Sequence, residues 1–185
     1  MAKVEGDLMK IDISDIVDKK GQSKDIDLAL TQDSIEFEGE LIKFASDVLI
    51  KGKLYVQENI VFLDANLKTE IILTCVRCLE EYKFLLEIPI IEKFTLNKAV
   101  YSKKTNEGTT NQMDDLILLQ ESSINISKLM EDAIIVTLPI QKLCKQDCNG
   151  LCQKCGMNLN LKSCECETSD IDPRMDRLKD LFAKN

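Results

Sequence analysis

The chain has 185 residues, enough for one domain with a small appendage, and its 44% apolar content excludes general disorder. Its net charge of −8 is uneven: residues 141–185 carry eight basic against seven acidic side chains, and residues 1–140 sixteen against twenty-five, which argues against general binding to phosphate backbones. It has no histidine, which removes the commonest general base and every Ser-His or Cys-His pair, and no tryptophan among only nine aromatics, a poor supply for stacking single-stranded bases.

No window of the sequence is long and apolar enough for a membrane span. The first twelve residues carry Glu5, Asp7 and Asp12 and do not read as a signal peptide. The expected setting is the cytoplasm, where thiols stay reduced.

In chain order, Leu8 to Ile13 alternates roughly and reads as a strand. Ser14 to Val17 reads as a short helical turn stopped by Gly21, and Ile26 to Leu30 resumes the alternation. From Ile35 to Phe94 the period is mostly two. Ile35, Phe37 and Leu41 fall on one face if Gly39 makes a bulge. Val48, Ile50, Leu54 and Val56 predict a strand broken near Gly52. Ile60 to Leu63 leads to a β-branched run over 67–74. Tyr82, Phe84, Leu86 and Ile88 alternate up to Pro89, which reads as a strand edge or end.

Residues 97–114 are polar, include Gly108, and read as a loop; Leu116 to Leu119 reads as a short strand. The main helix is expected near 127–138, capped by Ser127, with Leu129, Ala133 and Val136 on one face beside Met130, Ile134 and Leu138, and ended by Pro139. Asp172-Pro173 reads as the cap and first position of a last helix striped by Met175, Leu178, Leu181 and Phe182. The fold class expected is α+β, mostly β: a curled antiparallel sheet or partial barrel with a few helices and a C-terminal cysteine-rich zinc knuckle. The expected division is a β-rich body over 1–140 and the knuckle with its helix over 141–185.

Residues 144–166 hold six cysteines and little apolar bulk, so a metal or covalent link must hold them. With Cys75 and Cys78, the eight cysteines form four close pairs: Cys75/Cys78, Cys144/Cys148, Cys152/Cys155 and Cys164/Cys166. Two thiolates close in sequence can reach one ion through a tight turn, and four pairs make two four-thiolate zinc sites with none left over. Three partitions exist. The favoured one closes Cys152, Cys155, Cys164 and Cys166 locally and joins Cys75 and Cys78 to Cys144 and Cys148. Gly150 and Gly156 supply positive-φ freedom beside them. Disulfides would need an oxidising compartment, a redox C-x2-C would need a helix start, and an iron–sulfur cluster also takes four cysteines, which spacing alone does not exclude. The carboxylates form no catalytic constellation. Arg77 is expected to meet a neighbouring carboxylate or a phosphate. Lys142, Lys145, Lys154 and Lys162 stand against Asp147 alone over 142–162, so any direct RNA contact is expected there.

Five strings carry a resemblance. They are Cys75-Val76-Arg77-Cys78-Leu79; Glu131-Asp132-Ala133 with Leu138-Pro139; Cys148-Asn149-Gly150-Leu151-Cys152-Gln153-Lys154-Cys155-Gly156; Asn158-Leu159-Asn160; and Asp172-Pro173-Arg174 with Leu178 and Leu181. Together they resemble the YceD family, the large ribosomal RNA subunit accumulation proteins of bacteria and plastids, with a tail similar to the Gram-positive-type branch. The resemblance implies a non-enzymatic role in synthesis, processing or stability of large-subunit (23S) rRNA, that is, in ribosome biogenesis. The partners expected are large-subunit rRNA or precursor particles, reached directly or through a basic ribosomal protein, with no membrane and no small-molecule substrate. A zinc-stabilised interaction module or adaptor without a ribosomal link is the alternative, and a redox-sensing or thiol enzyme a third reading.

Overall fold

The computed structural model describes residues 2–5, 9–17, 22–106 and 116–166. The chain divides into two compact units. The larger takes residues up to Leu73 and Tyr82–Ile140; the smaller takes Thr74–Glu81 and the chain from Gln141 on. The last helix expected from Asp172, the stop at Gly21 and the start of the first strand at Leu8 lie outside the described residues.

The larger unit is built on a mixed, open sheet of eight strands. Strands β1 (Ala2–Glu5), β3 (Ser23–Thr31), β6 (Val48–Gln57), β7 (Ile60–Thr74), β5 (Glu40–Phe44) and β4 (Ser34–Phe37) follow in that order. Strand β8 (Glu81–Thr95) pairs with β7, and β9 (Leu116–Leu118) pairs with β8. Most pairings are antiparallel, while β1–β3 and β8–β9 run parallel. A small second sheet joins β2 (Lys10–Asp12) to β10 (Ser123–Asn125). The helices are α1 (Ser14–Val17), α2 (Lys98–Asn106) and α3 (Ile126–Thr137). The protein is therefore α+β and mostly β, with a sheet that does not close.

Period-two patterning places the core. Val48, Ile50, Leu54 and Val56 of β6 and Leu63, Leu67, Ile71 and Leu73 of β7 are buried on one face. Each such side chain contributes about 1.5–3 kcal/mol relative to exposure. Met130 and Ile134 of α3 join the same core.

Several local expectations change for physical reasons. Gly52 does not break β6. A Cβ there would run into the backbone and side chain of Ala65, its register partner on β7, so glycine lets the two strands approach. Gly39 is not a bulge but half of a two-residue hairpin turn: Glu38 and Gly39 both have positive φ, and Phe37 pairs with Glu40. That turn reverses the chain, so Ile42 is buried and Leu41 is exposed. Pro89 lies inside β8 rather than at its end. Residues 98–106 of the expected loop form α2, capped by the Asn97 carboxamide oxygen, which accepts from the Ala99 and Val100 amides. On α3 the cap is Asn125, whose side chain accepts from the Lys128 amide, while the Ser127 hydroxyl accepts from the Met9 amide. The buried stripe of α3 is Ile126, Met130 and Ile134, and Val136 points to solvent at 86% exposure.

Candidate metal centre

Both cysteine clusters lie in the smaller unit. Cys75 and Cys78 sit on the turn between β7 and β8, and Cys144 and Cys148 on the chain after α3. Their four sulfurs all lie within 4.8 Å of one another. The sulfurs of Cys152, Cys155, Cys164 and Cys166 form a second group of the same kind. All eight cysteines are free of disulfides. The structure thus brings the eight together in the two sets of the favoured partition.

The two C-x2-C turns are built alike. In the first, the Cys75 amide donates to the Glu80 carbonyl at 2.9 Å and the Leu79 amide to the Cys75 carbonyl at 2.9 Å. In the second, the Cys152 amide donates to the Met157 carbonyl at 2.8 Å and the Gly156 amide to the Cys152 carbonyl at 2.9 Å. The residue after the second cysteine has positive φ in both, 59° at Leu79 and 71° at Gly156. A leucine in that region is strained, and an isolated turn would favour glycine. Leu79 is also 65% exposed, so burial of its side chain does not explain it.

The thiols are electrostatically divided. Burial works against the Cys75 thiolate, yet the amides of Cys144, Cys78 and Arg77 bring its pKa down to about 6. The amides of Cys155 and Lys154, with the Cys164 thiol, bring Cys152 down to about 6. Burial and the neighbouring sulfurs of Cys148, Cys78 and Cys75 push Cys144 up to about 12. The Cys155 sulfur and burial do the same to Cys166. Each group thus holds sulfurs that favour ionisation beside sulfurs that resist further negative charge, an imbalance a bound cation removes.

The donor set fits a single ion. Four sulfurs each about 2.3 Å from one ion stand about 3.8 Å apart at the corners of a tetrahedron. The Cys75–Cys148 and Cys78–Cys144 sulfurs are 3.8 and 3.7 Å apart. An iron–sulfur cluster spreads its cysteines over several irons and needs wider spacing than the ligands of one ion. Either group could therefore hold one metal ion.

An asparagine network that cysteine spacing does not mark supports the first group. Asn160 Nδ2 donates to Cys148 Sγ at 3.2 Å, and Asn160 Oδ1 accepts from the Asn149 amide at 2.9 Å. Asn158 Oδ1 accepts from the Asn160 amide, and Asn158 Nδ2 donates to Glu80 Oε1 at 3.0 Å. The available signal was the pair of amide side chains between Cys155 and Cys164, too short and polar to serve a core. Such outer contacts hold a ligand in its donor orientation. Asn160→Ala is expected to weaken metal retention at the first group about 10–100-fold and leave the second unchanged, read by competition with a chromogenic chelator.

Among the described residues Arg77 does not pair with a carboxylate: its Nη1 donates to the Cys148 carbonyl at 2.9 Å. Its own carbonyl accepts from the Leu151 amide. A Cβ on Gly150, which has φ of 72°, would stand 3.1 Å from that carbonyl, so this position wants glycine twice over. Lys145, Lys154 and Lys162 are exposed and Lys142 is half-buried, all in the smaller unit.

A model of the family described as "Large ribosomal RNA subunit accumulation protein YceD" matches residues 63–182, a span that includes all eight cysteines. The chain is 28% identical over 181 residues to "Large ribosomal RNA subunit accumulation protein YCED homolog 1, chloroplastic" of Arabidopsis thaliana, covering 86% of this chain and 54% of the relative. It is 23% identical over 168 residues to "Uncharacterized protein YlbN" of Bacillus subtilis, covering 84% and 92%. It is 27% identical over 108 residues to an uncharacterized protein of Mycobacterium tuberculosis, covering 58% and 49%. The chain thus spans about half the length of the plant and mycobacterial relatives. No solved structure matches it.

Proposed function

The chain belongs to the YceD family, and from that membership we propose that it is a non-enzymatic factor in the accumulation of large-subunit rRNA, held in shape by two structural zinc ions. The observation that carries this reading is the pair of four-sulfur groups, which lie inside the span matched by the family. The metal is structural rather than catalytic, because each group supplies four protein ligands and leaves no open position. Zinc is favoured by the all-thiolate donor set of both groups and, in the first group, by sulfur spacing that suits one ion. Eight unpaired thiols suit the reducing cytoplasm, and no described helix is long and apolar enough to cross a membrane.

The partner follows from charge. Residues 1–140 are strongly acidic, so the protein reaches rRNA or its precursor particles as an adaptor that holds a basic ribosomal protein, with the knuckle lysines in a secondary role. Replacing Lys142, Lys145, Lys154 and Lys162 together with glutamine tests this. Co-sedimentation with large-subunit precursors is expected to fall moderately, about two- to five-fold, with zinc content unchanged; losing all four cations removes at most a few phosphate contacts. Complete loss would make direct RNA binding the main contact. Failure of the unsubstituted protein to sediment with precursors at any salt concentration would leave only the generic interaction module.

A further inference from the structure

Strand β8 has fifteen residues, but β9 covers only Lys93, Phe94 and Thr95 on its outer side. Among the described residues nothing else pairs there. The Thr95 carbonyl accepts from the Leu119 amide and so faces the β9 side. Backbone groups alternate along a strand, which turns Ile91, Pro89 and Glu87 the same way. Pro89 agrees with this direction, because a proline has no N–H to give and is tolerated in a strand only where no ladder bond is required.

A hollow of about 490 Å³ lies along this edge. Ile88 through Glu92 line it on one side, with Leu129, Asp132, Ala133 and Val136 of α3 on the other. Five consecutive strand residues can line one hollow only at the strand's edge, since neighbouring side chains point to opposite faces. Past Ile117 it continues into a second hollow of about 270 Å³ that shares Leu129 and Asp132. Ile91 is 68% exposed and Val136 86% exposed, so apolar surface flanks an unpaired edge. The charged side chains lining the hollow beside β8 are Glu92 and Asp132, both acidic, and Lys128 is the one basic side chain lining the second hollow, in a body with sixteen basic against twenty-five acidic residues.

We propose that this groove binds an extended, basic and apolar peptide segment of a partner protein, which adds as a strand to the open edge of β8. Main-chain hydrogen bonds to Ile91 and Glu87 supply register. Alternate apolar side chains fill the hollow against Leu129 and Val136, and the basic side chains between them meet Asp132 and the acidic surround. The inference names the contact surface for the adaptor reading and rests on it only for where the peptide comes from; the docking itself is tested with no ribosome present.

The test uses the full zinc-loaded chain and two short acetylated peptides, one alternating lysine with valine and one alternating glutamate with valine. The lysine peptide should bind and slow amide hydrogen exchange at Ile91 and Glu87, while the glutamate peptide should bind at least tenfold more weakly. Val136→Lys and Ile91→Lys, both at exposed positions, should each weaken the lysine peptide about tenfold or more at unchanged thermal stability. Asp132→Lys should narrow the preference between the peptides. Equal binding of both peptides, no effect of the substitutions, or amides at Ile91 and Glu87 already protected in the free chain would overturn the proposal. Self-association that Ile91→Lys abolishes would assign the edge to a second copy instead. Peptide docking with no co-sedimentation would keep this inference and remove the ribosomal one.

Discussion

Cys75→Ser is expected to lower bound zinc from about two ions per chain to about one and to free residues 141–148 from the turn between β7 and β8. Cys164→Ser should remove the other ion and leave the first in place. The two losses differ in their effect on folding. The first centre joins Cys78 to Cys144 across 66 residues, whereas the second joins Cys155 to Cys164 across only nine. In the chain-entropy view a cross-link restrains the unfolded state by the logarithm of its loop length, which favours the first by about twenty-fold in the folding equilibrium. Elemental analysis gives the ion count, and limited proteolysis after residue 140 reports release. Two ions retained by Cys75→Ser, or equal destabilisation by both variants, would contradict this assignment of ligands.

Acid is expected to empty both centres in a narrow range. Metal binding needs four thiolates, and Cys144 and Cys166, both pushed up to about 12, must give up protons when an ion enters. Around neutral pH each ion therefore displaces more than one proton, and apparent affinity rises steeply with pH. Cys75 and Cys152 act in the opposite sense. Their pKa falls from 9.0 to about 6, so the stability their ionisation adds is complete above pH 9 and is lost as pH falls toward 6. Below about pH 6 these two also take up protons and the release of metal steepens. Zinc retained after equilibration at a series of pH values measures this. Retention that is flat from pH 8 to well below 6 would count against thiolate ligation.

The two cysteine groups were legible in the sequence because close cysteine pairs are a local signal: two thiols on one turn can reach one ion whatever the fold around them. Their grouping was legible too, since a local closure of Cys152 to Cys166 leaves one way to use the rest. The strands of the body followed from period two, as with Val48, Ile50, Leu54 and Val56. What the pattern could not give were features decided across the chain. Gly52 looks like an interruption until Ala65 stands opposite it. Val136 looks like core by spacing, but the helix buries only Ile126, Met130 and Ile134. Asn160 looks like an ordinary loop residue until folding carries Cys148 to its side chain.

The separation of Cys78 from Cys144 has a consequence for synthesis. A ribosome adds roughly 5–20 residues per second, so several seconds pass between the emergence of the first C-x2-C and of the cysteines that complete its centre. During that interval Cys75 and Cys78 are a half-built chelator on a nascent hairpin, able to hold an ion weakly or to lose it to a stronger cellular ligand. The distal group has no such wait, because its four cysteines leave the exit tunnel almost together. A metal ion taken up by the second group would therefore enter as a local event, whereas the first group can close only after Cys144 and Cys148 have emerged.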